Sequence, residues 1–84
     1  MPRFIVVHST AFTEEDLKAL SKDKPPKSVS WKSIYCDFTD NKFFCDWEAP
    51  NKEEIKTELL ARKLPFDAIY PVHIFNVAKG KLEN

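Results

Sequence analysis

The sequence predicts an α+β domain with the element order β-α-β-β-α-β, and three observations support this prediction. Short β-rich runs alternate with two stretches of helical character, and a central segment has the pattern of a β-hairpin. A length of 84 residues allows a single domain, residues 1–84. This order is that of the ferredoxin-like fold, in which a four-stranded antiparallel sheet carries both helices on one face.

The first strand and the first helix are predicted from the start of the chain. Arg3–Ser9 is a β-rich run that we expect to form a central strand. Thr13 occupies the position of a helix N-cap. Leu17 and Leu20 give this short helix its apolar side, and Pro25-Pro26 stops it.

The stretch Val29–Pro50 is predicted to form the hairpin. Two aromatic-rich runs flank Asp40-Asn41, a dipeptide that tolerates the positive φ angles of a tight turn. One face of this hairpin is almost wholly apolar and needs a core beneath the helices. That face consists of Ile34, Cys36, Phe38, Phe43, Cys45 and Trp47. The register pairs Thr39 with Lys42, Phe38 with Phe43, Cys36 with Cys45, Tyr35 with Asp46 and Ile34 with Trp47.

The two cysteines are expected to face each other in this hairpin. Cys36 and Cys45 would form a non-hydrogen-bonded pair with Cα atoms about 4.5 Å apart, which allows a disulfide. In a reducing compartment we instead expect two buried, reduced thiols beneath the helices. A redox or metal-binding role is the alternative.

The second helix is predicted after the hairpin. Asn51 has the position of its N-cap, and Pro65 ends it. Ile55 and Leu59 are expected to face the core, and Leu60 with them.

The last strand is expected over Ala68–Val77, followed by a frayed tail. Right-handed crossovers place strands one and three in the sheet centre, parallel and adjacent, with strands two and four at the edges. Ile5 and Val7 of the first strand then face the helices. Val72 and Ile74 of the last strand are expected to face them too.

The opposite, open face of the sheet is then too apolar to remain in water. Thirteen basic and thirteen acidic side chains give a net charge of zero, so charge repulsion does not oppose self-association. We therefore predict a homodimer through the open face, led by Phe4, Val6, Phe44 and Phe75. The open face is expected to contain Phe4, Val6, His8, Trp31, Tyr35, Phe44, Asp46, Glu48, His73 and Phe75.

Several short motifs give the chain a family resemblance. One predicted strand contains Trp31, Ser33 and Tyr35. The next contains Cys45 and is followed by the run Glu48-Ala49-Pro50. A Pro-x-Asp-x-Ile motif at 65–69 precedes the last strand. The pattern resembles the small bacterial domains of unknown function that include a nickel-binding protein, and it covers the last two thirds of the chain. The resemblance implies a ferredoxin-like dimer, and a nickel site less directly.

A candidate metal site follows from the predicted strand directions. His8 ends the first strand, Glu48 ends the strand taken to run parallel to it, and His73 lies on the other neighbour. Two imidazoles and a carboxylate suit a divalent transition metal such as nickel, zinc or copper. The alternative is that both histidines are hydrogen-bonded interface or surface residues. Side chains expected to orient the ligands or line the pocket are Tyr35, Asp46, Trp31 and Phe44.

Other function classes rank below metal or small-ligand binding. A histidine paired with Asp46 or Glu48 is a possible general base for an enzyme without an organic cofactor. RNA-binding domains share the predicted topology, but zero net charge and Asp46 on the platform argue against nucleic acid. Because no apolar run reaches the length of a membrane span, we expect a cytoplasmic protein that does not bind a membrane. We also expect it to bind no organic cofactor.

Overall fold

The computed structural model describes residues 1–83 and shows an α+β domain with two helices and a four-stranded antiparallel sheet. The predicted class is confirmed. The elements are β1 (Arg3–His8), α1 (Glu14–Lys22), β2 (Ser30–Asp37), β3 (Lys42–Glu48), α2 (Lys52–Ala61), β4 (Ala68–Val72), β5 (Phe75–Asn76) and β6 (Lys81–Leu82). The main sheet has the order β2-β3-β1-β4, and β5 pairs with β6 in a separate two-stranded sheet.

The likeness to a ferredoxin-like domain is not exact, because the last strand is shorter than predicted. Ala68–Val77 was expected to be continuous, but β4 leaves the main sheet after Val72. The tail turns back at Gly80, whose φ of 67° suits glycine, and pairs through β6. The predicted fraying is therefore wrong for Lys81–Leu82, and Asn84 lies outside the described residues.

The predicted direction of the two central strands is also wrong. β1 and β3 are adjacent, but they run antiparallel, with Arg3 opposite Glu48 and His8 opposite Phe43. The reason is topological. The crossover through α1 brings β2 back parallel to β1, and the hairpin then reverses the direction of β3.

The two faces of β1 are exchanged relative to the prediction. Phe4 and Val6 are buried in the core, whereas Ile5 and Val7 lie on the open face and are half-buried. Both sets are apolar, so alternation alone does not choose between them. The register decides, because Phe4 pairs with Trp47, and directly paired residues point to the same side of a sheet.

The last strand shows the same exchange. Ile69 is buried opposite Val6, so Val72, opposite Arg3, lies on the open face and not under the helices. Ile74 and Phe75 lie beyond the main sheet. Phe75 is 57% exposed in β5, which corrects its placement on the open face.

The hairpin forms where it was predicted, with a different register. Asn41 adopts a φ of 54°, as expected for the turn. Cys36 pairs with Phe43 and Ile34 with Cys45, a shift of two residues that leaves the faces of this part unchanged. A bulge between Trp31 and Ser33 then moves Trp31 to the covered face, where it stacks on Trp47 at 4.9 Å between ring centroids.

The prediction for the thiols is half right. Cys45 is buried and burial raises its pKa to about 12, so this thiol is inert. Cys36 is exposed, and it lies opposite Phe43 instead of Cys45. Both cysteines are free thiols.

Both helices begin as predicted. Thr13 and Asp16 form a reciprocal capping box, with the Asp16 N–H donating to Thr13 Oγ1 at 3.1 Å and the Thr13 N–H donating to Asp16 Oδ2 at 2.9 Å. Asn51 Oδ1 accepts the N–H of Glu54 at 3.0 Å. Each cap satisfies a backbone donor that the helix itself leaves unpaired.

The two helices contribute very differently to the core. Ile55 and Leu59 of α2 are completely buried, as predicted, but Leu60 is 71% exposed. No residue of α1 is buried. No helix within residues 1–83 is long and apolar enough to cross a membrane.

Candidate functional site

His8 is a buried, neutral core residue at one end of the sheet. Its side chain is on the covered face, 1% exposed, and its ring meets the edge of Phe12 at 5.9 Å between centroids. The Nδ1–H donates to the Pro65 carbonyl oxygen at 2.8 Å, which leaves Nε2 as the basic nitrogen. Burial lowers the pKa of His8 below 6.5, and the Pro65 hydrogen bond and the charge of Asp67 oppose only part of this effect.

The other two predicted ligands lie at the opposite end of β1. Arg3 pairs with Glu48 on one side and with Val72 on the other, and His73 follows Val72 directly. At about 3.3 Å per residue, the six-residue strand separates His8 from this end by roughly 16 Å. The predicted convergence of His8 with Glu48 and His73 within one protomer is therefore wrong.

The same geometry rules out the predicted general-base pairs formed by His8. Asp46 pairs with Ile5, three residues from His8 along β1 and on the opposite face of the sheet. Glu48 is farther away still. No described contact of His8 therefore joins it to either carboxylate, and its ring is occupied with the Pro65 carbonyl and Phe12.

Two basic side chains hold Glu48 in its ionised form. Lys32 Nζ lies 3.1 Å from Glu48 Oε1, and Arg3 Nη2 lies 3.5 Å from the same oxygen. The hydrogen bond from Lys32, followed by the charges of Lys32 and Arg3, lowers the pKa of Glu48 below its ordinary value. Glu48 also lines a polar cavity of about 290 Å³, together with Glu83 and Ile74.

The open face carries an aromatic surface around one carboxylate. Tyr35 is 60% exposed, Phe44 38% and Tyr70 56%. Asp46 lies among them and is nearly buried, with Oδ1 at 3.4 Å from Arg3 Nε and without a hydrogen bond. Tyr35, Asp46 and Phe44 thus share a surface, as predicted, whereas the bulge removes Trp31 from it.

Arg3 and Lys32 are the functional candidates that sequence reasoning missed. Both flank Glu48, and Arg3 also contacts Asp46. An antiparallel alignment of the first and third strands would have revealed Arg3, because this alignment places Arg3, the first residue of β1, opposite Glu48. Lys32 lies at the bulge, which had no recognised sequence signal.

The described residues of one chain do not form a complete metal centre. Within residues 1–83 no group of three or more His, Cys, Asp or Glu side chains is placed to hold a metal ion. Transition metals in proteins usually take four or more donors. Glu48 and His73 are at the same end of the sheet, but they supply only two.

The fold and the open face define a small α+β sheet protein with an unpartnered aromatic surface. A family model described as nickel responsive protein SCO4226-like matches residues 4–72, which extend from β1 through β4. The chain belongs to this family, and the predicted family resemblance is confirmed. No curated protein and no solved structure matches the chain.

Proposed function

We propose that the protein binds nickel or a similar divalent transition metal ion and does so as a homodimer. The observation that carries this proposal is the family match over residues 4–72, since the family is described as nickel responsive. The structure supports the second part of the proposal, which is the homodimer. Among residues 1–83, one copy of the chain offers fewer donors than such an ion usually takes, which supports a site completed by a second copy.

The open face is the proposed dimer interface. Tyr35, Phe44 and Tyr70 expose large rings there, and Ile5 and Val7 lie between them. Each Å² of apolar surface removed from water stabilises an interface by about 25 cal/mol. With a formal net charge of zero, two copies meet without net repulsion.

Glu48 and His73 are the proposed ligands. A two-fold dimer presents two copies of each side chain, which gives two carboxylates and two imidazoles. This mixed oxygen and nitrogen set suits nickel, zinc or copper. Arg3 and Lys32 neutralise Glu48 without the ion, and the ion would compete with them for its oxygens.

His8 is not part of the proposed ligand set. It lies under the helices at the other end of the sheet, with its Nδ1–H bonded to Pro65. We assign it a structural role. Metal binding should therefore depend on His73 and be independent of His8.

Calorimetric titration with nickel and zinc at pH 7.5, on protein without an affinity tag, tests the proposal. We expect Glu48→Gln and His73→Ala each to weaken binding by about tenfold or more, which corresponds to about 1.4 kcal/mol. Glu53→Gln, at an exposed carboxylate of α2, and His8→Asn are the matched controls and should bind as the parent does. Equal binding by all four variants, or no binding below about 100 µM, would contradict the proposal.

A further inference from the structure

A groove between α1 and the edge strand β2 has the properties of a small-molecule site. Its volume is about 440 Å³, and small-molecule pockets span about 300–1,000 Å³. Most of the lining surface is apolar, as is usual for such sites, and seven of the thirteen lining residues contribute polar groups. Its apolar lining residues are Leu17, Leu20, Pro25, Trp31, Ile34 and Cys36.

The groove lies beside α1, which is only partly buried against the rest of the domain. The apolar side of α1, Leu17 and Leu20, lines the groove, and no residue of the helix is buried. In a two-layer domain such a stripe normally closes onto the sheet. The apolar surfaces of α1 and β2 instead face the same open space.

Arg62 anchors the C-terminal end of α1. Arg62 is 4% exposed in its side chain and donates to the Leu20 carbonyl at 3.3 Å and to the Asp23 carbonyl. Its guanidinium is held by Glu58 at 2.8 Å and lies over the Trp31 ring, 5.3 Å from the centroid. The end of α1 is therefore anchored, while Leu17 and Leu20 on its apolar side remain only half-buried.

The rim of the groove is more basic than acidic. Lys18, Lys24 and Lys32 line it, against Glu14 and Asp23. Lys18 is paired with acidic residues of its own helix, and Lys32 is paired with Glu48. Lys24 and Asp23 form no ion pair within the described part of the chain, and Lys24 is the one of the two that can pair with an anionic group.

We propose that this groove binds a small amphipathic anion. The apolar body of the ligand, an aromatic ring system or a short alkyl chain, lies between Leu17 and Ile34. Its carboxylate or sulfonate group pairs with Lys24. Trp31, Ile34 and Cys36 line the groove from the covered face of β2, whereas the proposed metal ligand Glu48 lies on the other side of the sheet. Lys32 lines the groove and also pairs with Glu48, so it is a contact shared by the two proposed sites.

The first experiment measures the affinity for 1-anilinonaphthalene-8-sulfonate by fluorescence, with decanoate as competitor. Leu17→Glu places a charge in the groove without touching a buried residue and should weaken binding by about tenfold. Leu60→Glu is the same change on the exposed side of α2 and should have no effect. Loss of binding in both variants, or in neither, would overturn the proposal.

The charge of the ligand is tested in the same assay. Lys24→Glu should weaken binding of the sulfonate probe about threefold or more. Lys52→Glu makes the same change in net charge at the start of α2 and should leave the affinity unaltered. Equal effects of the two substitutions would show that only overall charge matters, and would contradict a specific anion site.

Alkylation of Cys36 gives a readout that needs no variant. Cys36 lines the groove and is exposed, whereas Cys45 is buried with a pKa raised to about 12 and serves as the unreactive internal control. Saturating decanoate should slow the reaction of Cys36 with iodoacetamide by at least about fivefold, because the ligand covers the thiol. Unchanged reactivity, or equal protection by the uncharged analogue decanol, would refute the proposal.

Discussion

His8 and Glu48 show how local surroundings set the charge of a side chain in this protein. His8 is enclosed by apolar groups and a backbone carbonyl, so burial favours its neutral form. Glu48 lies between Lys32 and Arg3, so its surroundings favour the charged form. The roles proposed for the two residues differ for the same reason. Of these two side chains, Glu48 is the one that lines an accessible cavity, where it presents a charged oxygen.

The burial of His8 predicts a specific loss of stability in mild acid. Its pKa is lowered in the folded protein, so the unfolded chain takes up a proton first as pH falls below about 6.5. The free energy of unfolding should decrease from that pH downward, until the pH reaches the lowered pKa of the folded state. Urea unfolding between pH 7.5 and pH 5.5 measures this decrease.

His8→Asn is the comparison variant for this measurement. The asparagine amide can still donate to the Pro65 carbonyl, but it does not titrate in this range. The variant should be less stable at pH 7.5 and should show a smaller loss between pH 7.5 and pH 5.5. The same loss in parent and variant would show that His8 does not cause it.

At the scale of elements, the turn of the hairpin depends on Asn41. Its φ of 54° lies in the left-handed region, which disfavours most residues other than glycine and asparagine. Asn41→Ala should destabilise the protein by about 1 kcal/mol, whereas Asn41→Gly should be close to neutral. Thr39→Ala, in the same turn but without a positive φ, is the control in urea unfolding. Equal losses for Asn41→Ala and Thr39→Ala would contradict this account.

Elements marked by local chemistry were predictable from the sequence. Thr13 and Asn51 identify helix starts by their capping groups, and Asn41 identifies the turn by its tolerance of positive φ. Ile55 and Leu59 follow from helical spacing. In each case the signal lies within a few residues of the feature that it predicts.

Features that depend on partners distant in sequence were not predictable. Phe4 and Ile5 are both apolar, so the covered face of β1 is selected by pairing with β3, which alternation does not reveal. The bulge after Trp31 reverses the faces of Trp31 and of Ser30 before it. The predicted convergence of His8 with Glu48 and His73 failed for this reason. It relied on one strand direction and on one choice of faces, and both were wrong.

At the scale of the whole molecule, the open face predicts self-association. Phe44→Lys places a charge among the exposed rings of Tyr35 and Tyr70 and should convert a dimer into a monomer at tens of micromolar. Leu60→Lys, on the exposed side of α2, is the control and should remain dimeric. Sedimentation velocity distinguishes the two states. A parent protein that sediments as a monomer at this concentration would contradict the proposed interface.

The stoichiometry of metal binding tests the central claim most directly. Native mass spectrometry of tag-free protein titrated with nickel counts both the chains and the ions in each complex. Because Glu48 and His73 are the two ligands proposed for each copy, and the described residues of one copy hold no group of three, we predict one nickel ion per two chains, with no ion retained by the monomer. An ion bound to each monomer, or a dimer that retains none at excess nickel, would contradict the account of a metal site completed by two copies.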